Sequence, residues 1–356
     1  MIVKSIKLIN FRNYKEVTCE FDKGVNYLYG ENASGKTSLV EAIYYLSLAR
    51  SFRTSNDSEL IANNSKEALI YSEIMQNEKK NQLNVLLSLE GKKMLLNGNK
   101  VGRISELSSI MNAIYFIPKD VLLLKEAPKG RRLFLDLSIA KTSNNYVRHI
   151  KTFEKLLKSR NEELKKINLN KKLLSVLTEQ LVNESKIIYV YRRDYINKLN
   201  EKLKIVFKEL TKTDADISIH YVSFINNEEA YKENALKMFD SSLENDIRRG
   251  QTSIGVQKDD FYLSLNNKSI GIYGSQGENR ISVLALKLTP YFLVNEEELK
   301  PVVILDDVLS ELDENHKNLL LKFLSQIDQV FITSTSKIIY ENTHYYLVSN
   351  NEIRKE

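Results

Sequence analysis

One short stretch of the chain combines glycines, a lysine and a hydroxyl in a spacing that suits phosphate chemistry. Gly30 is followed by four residues and then by Gly35, Lys36 and Thr37, in the sequence GENASGKT. Glycines let successive backbone N–H groups surround a phosphate, and the N-terminus of a following helix adds a positive dipole. We expect Lys36 to contact the β and γ phosphates of a nucleotide and the Thr37 hydroxyl to bind Mg²⁺. The predicted phosphate-binding residues are Gly30, Glu31, Asn32, Ala33, Ser34, Gly35, Lys36 and Thr37.

A pair of acids far along the chain supplies the other groups that this chemistry needs. Asp306 and Asp307 follow the apolar run VVIL, which is typical of a buried parallel strand whose carboxyl end faces a nucleotide crevice. A P-loop site requires a carboxylate for the metal and a group that orients the attacking water. Asp306 is the predicted Mg²⁺ partner, through water, and Asp307 is the predicted catalytic base or water-positioning group. Lys36 is the other predicted catalytic residue. The alternative is that the acids cap a following helix.

A third stretch, YGSQGENR, lies at the start of a predicted helix. Ser275, Gln276 and Gly277 precede apolar residues at helical spacing. Exposed N–H groups at a helix start, together with a serine hydroxyl, suit an anion. An ordinary helix cap is the alternative interpretation. An anion site here would complete a nucleotide pocket across a dimer interface.

The predicted elements place these residues at junctions between strands and helices. Alternating apolar residues predict strands before the P-loop, and residues 38–48 predict a helix. Residues 80–102 predict a hairpin or meander whose first turn lies at EGKK. From Phe134 to Lys212 glycine and proline are nearly absent, which indicates helices. Their periodic segments of about 25 to 35 residues are too short for coiled-coil rods, so we expect a compact helical arm.

The order of these elements predicts an α/β core interrupted by a helical insertion. We expect an N-terminal lobe with the P-loop over 1–114, a basic helical insertion over 115–240, and a C-terminal lobe over 241–356.

Composition excludes several classes of protein. The 356 residues are 42% hydrophobic and 28% charged, which is ordinary for a globular protein. No apolar run approaches the roughly 18 residues that span a bilayer, and the charged N-terminus is unlike a signal peptide. Cys19 is the one cysteine, so neither an intrachain disulfide nor a cysteine zinc site is expected. These features predict a cytoplasmic protein without a membrane partner.

The basic charge is concentrated in the predicted helical region. Residues 141–212 contain 18 Lys or Arg against 8 Asp or Glu, so that the rest of the +6 chain sums to −4. Clustered basic charge is typical of a polyanion-binding surface, because neutralised phosphates release counterions. A solvated helical face rich in lysine is an equal alternative.

Taken in order, these motifs resemble the ATP-binding cassette (ABC) ATPases, and within them the RecF family of bacterial DNA replication and repair proteins. The resemblance covers nearly the whole chain and rests on LINFRNY (8–14), GENASGKTSLVEAIYYLS (30–47), RSFRT (50–54), FIPKDVLLLKEAPKGRRLFLD (116–136), LLKSRNEEL (156–164), YGSQGENR (273–280) and ILDDVLSELD (304–313). It implies an α/β fold, an ABC-type P-loop ATPase head with a helical insertion domain.

The resemblance also implies a function and partners. It implies a weak, DNA-stimulated ATPase that uses ATP and Mg²⁺, dimerises with ATP, and binds single-stranded, gapped and duplex DNA. Such a protein helps to load recombinase at gaps, with the mediator proteins RecR and RecO as partners. By motif, Ser275 would contact the γ phosphate of the opposite subunit, and the loop 310–313 would contact that subunit beside it.

The chain departs from related patterns at two places. Residues 333–335 stand where transporter ATPases carry a histidine, which RecF-like proteins also lack. Val256 and Gln257 replace the proline and histidine of the family's usual GPHRDD segment, which puts the role of that loop in doubt.

The basic residues leave several roles open. Candidate DNA contacts, besides the basic helices, are Arg12, Arg50, Arg53, Arg131 and Arg132. Arg131 and Arg132 could instead cap a helix or bind an acidic partner, and Arg50 and Arg53 could contact nucleotide. Three other functions remain as alternatives: a rod-bearing SMC-like subunit, a transporter ATPase, and a nucleotide sensor that does not hydrolyse ATP.

Overall fold

The computed structural model of the chain describes residues 1–76, 78–102, 106–107, 109–296 and 299–356. They form two compact units. The first unit comprises Met1–Val121, Ile205–Asp214 and Arg280–Glu356, and the second comprises Leu122–Lys204 and Ala215–Asn279. The second unit thus includes residues 241–279, which the sequence analysis placed with the C-terminal lobe, and the first includes residues 205–214 from the predicted insertion.

A largely parallel sheet lies in the first unit. Its strand order is β15-β14-β3-β13-β12-β8, and all neighbours are parallel except the β14–β15 pair. The strands are β3 (Gly24–Tyr29), β8 (Ala113–Phe116), β12 (Val302–Asp306), β13 (Gln329–Ser334), β14 (Thr343–Ser349) and β15 (Glu352–Lys355). Every residue of β12 is buried, as the continuous apolar run predicts for a strand covered on both faces.

An antiparallel sheet forms the other layer of the first unit, in the order β2-β1-β4-β5-β6-β7. Its strands are β1 (Ile2–Phe11), β2 (Tyr14–Glu20), β4 (Glu67–Gln76), β5 (Lys79–Ser88), β6 (Gly91–Leu96) and β7 (Asn99–Lys100). The predicted meander is therefore present. Its first turn differs from the expected EGKK, because Ser88 pairs with Gly91 and leaves Leu89 and Glu90 as the turn.

Helix α1 (Lys36–Leu48) packs into the apolar core that the two sheets of the first unit share. It is buried on nearly all sides, as expected for a helix that is apolar all round. Helix α8 (Glu314–Leu324) begins after Asp313, whose carboxylate accepts a hydrogen bond from the His316 backbone N–H. Helix α7 (Gln276–Leu288) begins in the second unit and continues into the first.

The second unit is mainly helical. It contains α2 (Pro128–Ala140), α3 (Asn144–Leu164), most of α4 (Lys171–Thr211), α5 (Tyr231–Arg249) and α6 (Ile270–Tyr273), with a small sheet of β9 (Ile217–Val222), β10 (Asp260–Leu265) and β11 (Lys268–Ser269). Helix α4 has 41 residues, which exceeds the periodic segments expected from the sequence. Within the described residues, no helix is long and apolar enough to cross a membrane.

Two arginines that the sequence offered as DNA contacts are bonded within the second unit. Arg131 is 8% exposed, and its guanidinium donates to both carboxylate oxygens of Asp260, at 2.7 and 2.9 Å. It also donates to the carbonyl oxygens of Leu123 and Glu126. Arg132 donates to the Asp259 carbonyl oxygen at 2.8 Å. For both arginines, these bonds favour a role in holding the second unit's structure over a role in contacting DNA.

The segment 255–260, which differs from the family's usual GPHRDD sequence, belongs to the same network of hydrogen bonds. Burial raises the pKa of Asp259 to about 6, although hydrogen bonds from Tyr221 and the charge of Arg192 act to lower it. The Tyr221 hydroxyl donates to Asp259 at 2.5 Å. Val256 is buried, and its carbonyl oxygen accepts a 2.7 Å hydrogen bond from Arg192. The segment is therefore bonded to α4 and to β9 within the second unit.

Candidate nucleotide site

The P-loop joins the end of β3 to the start of α1, in the first unit. The Lys36 ammonium donates to the carbonyl oxygens of Gly30 (2.8 Å) and Glu31 (2.6 Å) and lies 3.4 Å from the Ser34 hydroxyl. Burial lowers the pKa of Lys36, while the charges of Asp307 and Asp306 act to raise it. The loop thus encloses a cation at its centre, where the predicted phosphate would lie.

Two glycines of the P-loop stand where a side chain cannot fit. Gly30 has a φ of 152°, and a Cβ there would lie 2.1 Å from the Val348 carbonyl oxygen. Gly35 has a φ of 111°, and a Cβ there would lie 2.5 Å from the Tyr14 hydroxyl. Both positions combine a backbone conformation that favours glycine with close approach of another part of the chain.

Gly30→Ala is expected to destabilise the protein by about 2 kcal/mol, because it adds a collision with backbone to the cost of the positive φ. The matched control is Gly24→Ala, where φ is 79° and a Cβ would meet nothing within 4 Å. That variant should lose only about 1 kcal/mol. Urea unfolding of both proteins measures the difference. Equal losses would show that the contact with Val348 is not restrictive.

The carboxylate of Asp306 lies beside the P-loop threonine. The Thr37 hydroxyl donates to its two oxygens at 2.9 and 3.1 Å, and the Thr333 hydroxyl donates at 2.6 Å. Burial raises the pKa of Asp306, and these two hydroxyls act to lower it. The alternative role as a helix cap does not apply, because α8 is capped by Asp313 instead.

These oxygen atoms fit a magnesium ion that arrives with a nucleotide. Mg²⁺ is usually held by one or two carboxylates and by substrate phosphates rather than by a cage of protein ligands. Within the described residues, no group of three or more His, Cys, Asp or Glu could hold a metal ion. A buried carboxylate whose pKa is raised gains most from an adjacent dication, which favours its ionised form. Thr37 and Asp306 are therefore suitable ligands.

Asp307 is held in an unusual conformation at the end of β12. Its φ is 50°, and its backbone N–H donates to the carbonyl oxygen (3.2 Å) and to the hydroxyl (3.0 Å) of Thr333. Among the described residues, its buried Oδ1 atom has no hydrogen-bond partner. Buried polar atoms are normally bonded, so this unpaired oxygen is an exception, and Asp307 also lines the cleft beside Lys36 and Thr37.

A cleft of about 580 Å³ brings several of the predicted residues of the first unit together, whereas Gly30, Glu31 and Ser34 line a neighbouring pocket. Besides Lys36, Thr37 and Asp307, its walls include Arg12, Asn13, Asn32, Ala33, Gly35, Ser38, Arg53, Glu59, Ile61, Asn63, Thr333 and Thr335. Two of the proposed DNA-contacting arginines, Arg12 and Arg53, thus line the nucleotide cleft. For Arg53 this position favours the alternative role at the nucleotide.

The sequence analysis missed one residue of this site, Glu41. Its carboxylate is fully buried and accepts hydrogen bonds from Arg12 at 2.7 and 2.9 Å. The signal for it is present in the sequence, since Glu41 is the lone charge in the apolar helical run SLVEAIYYL. A charged residue at a buried helix position is normally paired.

The structure does not place Ser275 in the first unit with the P-loop, because residues 215–279 belong to the second unit. Its hydroxyl accepts from the Glu278 backbone N–H at 3.2 Å, and the Glu278 carboxylate accepts from the Ser275 N–H at 2.8 Å. This reciprocal pair is a capping box. Residues 275–278 are all exposed. The helix-cap alternative is therefore present, and the exposed Gln276 and Gly277 still offer a helix N-terminus.

The loop 310–313 is separated from Asp307 by two residues. The Ser310 hydroxyl donates to the Asp307 carbonyl oxygen at 2.9 Å. Arg280 forms a 2.7 Å ion pair with Glu311. These bonds connect the shape of the loop to the position of Asp307.

Comparison with known proteins agrees with this architecture. The family model described as the RecF/RecN/SMC N terminal domain matches residues 2–353. The DNA replication and repair protein RecF of Clostridium kluyveri is 35% identical over 364 residues, covering 100% of both chains. RecF of Clostridium tetani is 37% identical over 366 residues, covering 100% of this chain and 98% of the relative.

Solved structures give the same result. The recombination mediator protein RecF-ATPrS in the RecFOR pathway matches with a TM-score of 0.90 and 32% identity, covering 99% of this chain and 98% of the other. The Smc head bound to the C-winged helix domain of ScpA has a TM-score of 0.60 at 15% identity, covering 100% and 97% of the two chains. The likeness to Smc concerns the fold alone. Together with the family model and the RecF structures, it confirms the predicted ABC-type fold. From the family model and the full-length relatives, the chain belongs to the RecF family of DNA replication and repair proteins.

Proposed function

We propose that the chain is an ATP-dependent DNA-binding protein of DNA replication and recombinational repair, which hydrolyses ATP slowly. The observation that carries the proposal is the P-loop itself, with Lys36 at its centre and the Thr37 hydroxyl bonded to Asp306. The similar RecF structures support it, since they are described as RecF-ATPrS and RecF-ATP in the RecFOR pathway.

The residues of the first unit have separate roles in this chemistry. Lys36 exchanges its bonds with the Gly30 and Glu31 carbonyl oxygens for bonds to phosphate oxygens, and the loop N–H groups orient the triphosphate. Asp307, with its unbonded Oδ1 atom, orients the attacking water and accepts its proton. A magnesium ion held by Thr37 and Asp306 would neutralise the charge that develops on the phosphates.

ATP also joins two copies of the chain in this proposal. Ser275, Gln276 and Gly277 present the start of α7, where a hydroxyl and backbone N–H groups can bind a γ phosphate. They act on the nucleotide of the opposite subunit, and the loop 310–313 contacts that subunit beside it. ATP then holds the dimer together, and hydrolysis releases it.

The basic helices form the proposed DNA surface. Arg148, Lys151, Lys155 and Lys158 are exposed and recur every three or four residues along α3, so they share one face of the helix. Such a row binds backbone phosphates without reading sequence. We propose that the predicted insertion 115–240 supplies this surface to single-stranded, gapped and duplex DNA, and that the chain acts at gaps with RecR and RecO to help load recombinase.

DNA binding should therefore fall steeply as salt rises. Fluorescence anisotropy with gapped, single-stranded and duplex DNA, with and without ATP, measures the affinity across a salt series. Lys151→Ala/Lys155→Ala should weaken binding to all three DNAs and reduce the salt slope by about two. The control is Lys93→Ala/Lys100→Ala, which removes two exposed lysines of β6 and β7. Salt-independent binding, or equal losses in both double variants, would contradict the proposed surface.

A further inference from the structure

We infer that Glu41 is a positioning residue for nucleotide binding, because it holds Arg12 and Arg53 in place on the wall of the nucleotide cleft. The inference rests on the proposed ATP-binding function. Glu41 is a buried acid. The bonds of its carboxylate go to Arg12, Ser51 and Arg53 rather than to Lys36 or Asp306.

The geometry around Glu41 is that of a carboxylate shared by two arginines. Its Oε1 atom accepts from Arg12 Nη2 at 2.7 Å and from the Ser51 hydroxyl at 2.5 Å. Its Oε2 atom accepts from Arg12 Nε at 2.9 Å and lies 3.5 Å from Arg53 Nη1. The Arg12 contact is bidentate, which fixes the plane of the guanidinium as well as its position.

The same carboxylate orders the segment that carries Arg53. The Ser51 hydroxyl, which donates to Glu41, accepts from the backbone N–H groups of Arg53 at 2.8 Å and Thr54 at 3.2 Å. Glu41 thus controls Arg53 twice, through its side chain and through its backbone. Loss of the carboxylate would release both.

The exposure of the two arginines separates this cluster from an ordinary buried ion pair. Arg160 and Asp246 in the second unit form such a pair, with side chains 1% and 0% exposed. The Arg160 guanidinium donates hydrogen bonds to Asp246, Thr178 and Thr252. By contrast, the Arg12 side chain is 18% exposed and the Arg53 side chain 45% exposed, although Glu41 is at 0%.

The exposed parts of both arginines face the cleft, since Arg12 and Arg53 line it together with Lys36 and Thr37. Arg12 donates to Glu41 twice and to the Glu59 carbonyl oxygen once, which uses three of the five N–H donors of a guanidinium. Two arginines share one carboxylate, so the cluster keeps a net positive charge beside the P-loop. A nucleotide polyphosphate is the ligand that this charge favours.

The test compares ATP affinities of the full chain, measured by displacement of a fluorescent ATP analogue at a temperature where each variant is folded. Glu41→Gln keeps the shape of the side chain but removes its charge, and it should weaken ATP binding at least tenfold. Arg53→Ala alters a half-exposed side chain and should weaken binding in the same direction. Because the two residues act as one unit, the double variant should bind ATP no more than about twofold worse than Glu41→Gln.

Asp246→Asn is the matched control, because it breaks a buried arginine pair that lies in the second unit. It should lower the melting temperature and leave ATP affinity unchanged. The inference is overturned if folded Glu41→Gln binds ATP within twofold of the parent, or if its losses simply add to those of Arg53→Ala. If Glu41→Gln does not fold, parent-like ATP affinity in Arg53→Ala overturns it. Failure of the parent to bind ATP would instead refute the proposed function.

Discussion

Asp307→Asn is expected to reduce ATP hydrolysis about 1000-fold while leaving ATP affinity within a factor of two of the parent. Asparagine has nearly the shape of aspartate and tolerates the left-handed conformation that this position adopts, with φ at 50°. The backbone N–H can still donate to Thr333. What is lost is the carboxylate that orients water and accepts its proton, and general-base catalysis contributes about 10²–10⁴-fold.

Steady-state phosphate release and equilibrium nucleotide binding measure the two quantities separately. The variant should also prolong the ATP-bound dimer, because hydrolysis is the proposed step of release. Asp240→Asn, an exposed acid on α5, is the control and should hydrolyse ATP like the parent. Parent-like hydrolysis by Asp307→Asn would remove Asp307 from the proposed role.

Lys36→Ala is expected to weaken ATP binding about 100-fold or more, because a buried ammonium that bonds phosphate is removed. Lys36→Arg should also weaken ATP binding, because the larger guanidinium does not fit the space of the ammonium. Lys36 Nζ lies 2.8 Å from the Gly30 carbonyl oxygen and 2.6 Å from that of Glu31.

Isothermal titration calorimetry with ATP tests this expectation, and urea unfolding checks the fold. ATP-dependent DNA binding should disappear in both variants, while salt-sensitive DNA binding without ATP remains. Lys93→Ala removes an exposed lysine of β6 and is the control. A Lys36→Arg protein that bound ATP and DNA like the parent would contradict the mechanism.

The positions of the P-loop and of the acid pair could be predicted because both signals are local. A glycine loop between a strand and a helix fixes the position of Lys36 and Thr37, and a buried apolar run predicts a central strand that ends at Asp306. The parallel register of β12 and β13 then brings Thr333 opposite Asp306. The order of the motifs along the chain identified the family.

The Glu41 cluster could not be predicted, since it depends on contacts between separate segments. Arg12 lies 29 positions before Glu41 and has a φ of 54°, so no periodic pattern places its side chain. The partition of the chain into units was hidden for a similar reason. Helix α4 is one continuous helix, yet its last residues, 205–211, belong to the first unit. Periodicity shows that a helical face is buried but not which core buries it.

In the proposed dimer, the P-loop of one copy and the Ser275 segment of another form a single ATP-binding site. Sedimentation velocity of the full chain tests this most directly, with Mg²⁺ and either ATP, ADP or no nucleotide. We expect the parent to be a dimer with ATP and a monomer with ADP or without nucleotide. Lys36→Ala should be a monomer in every condition. An identical sedimentation coefficient of the parent with and without ATP, under conditions where ATP is bound, would contradict it.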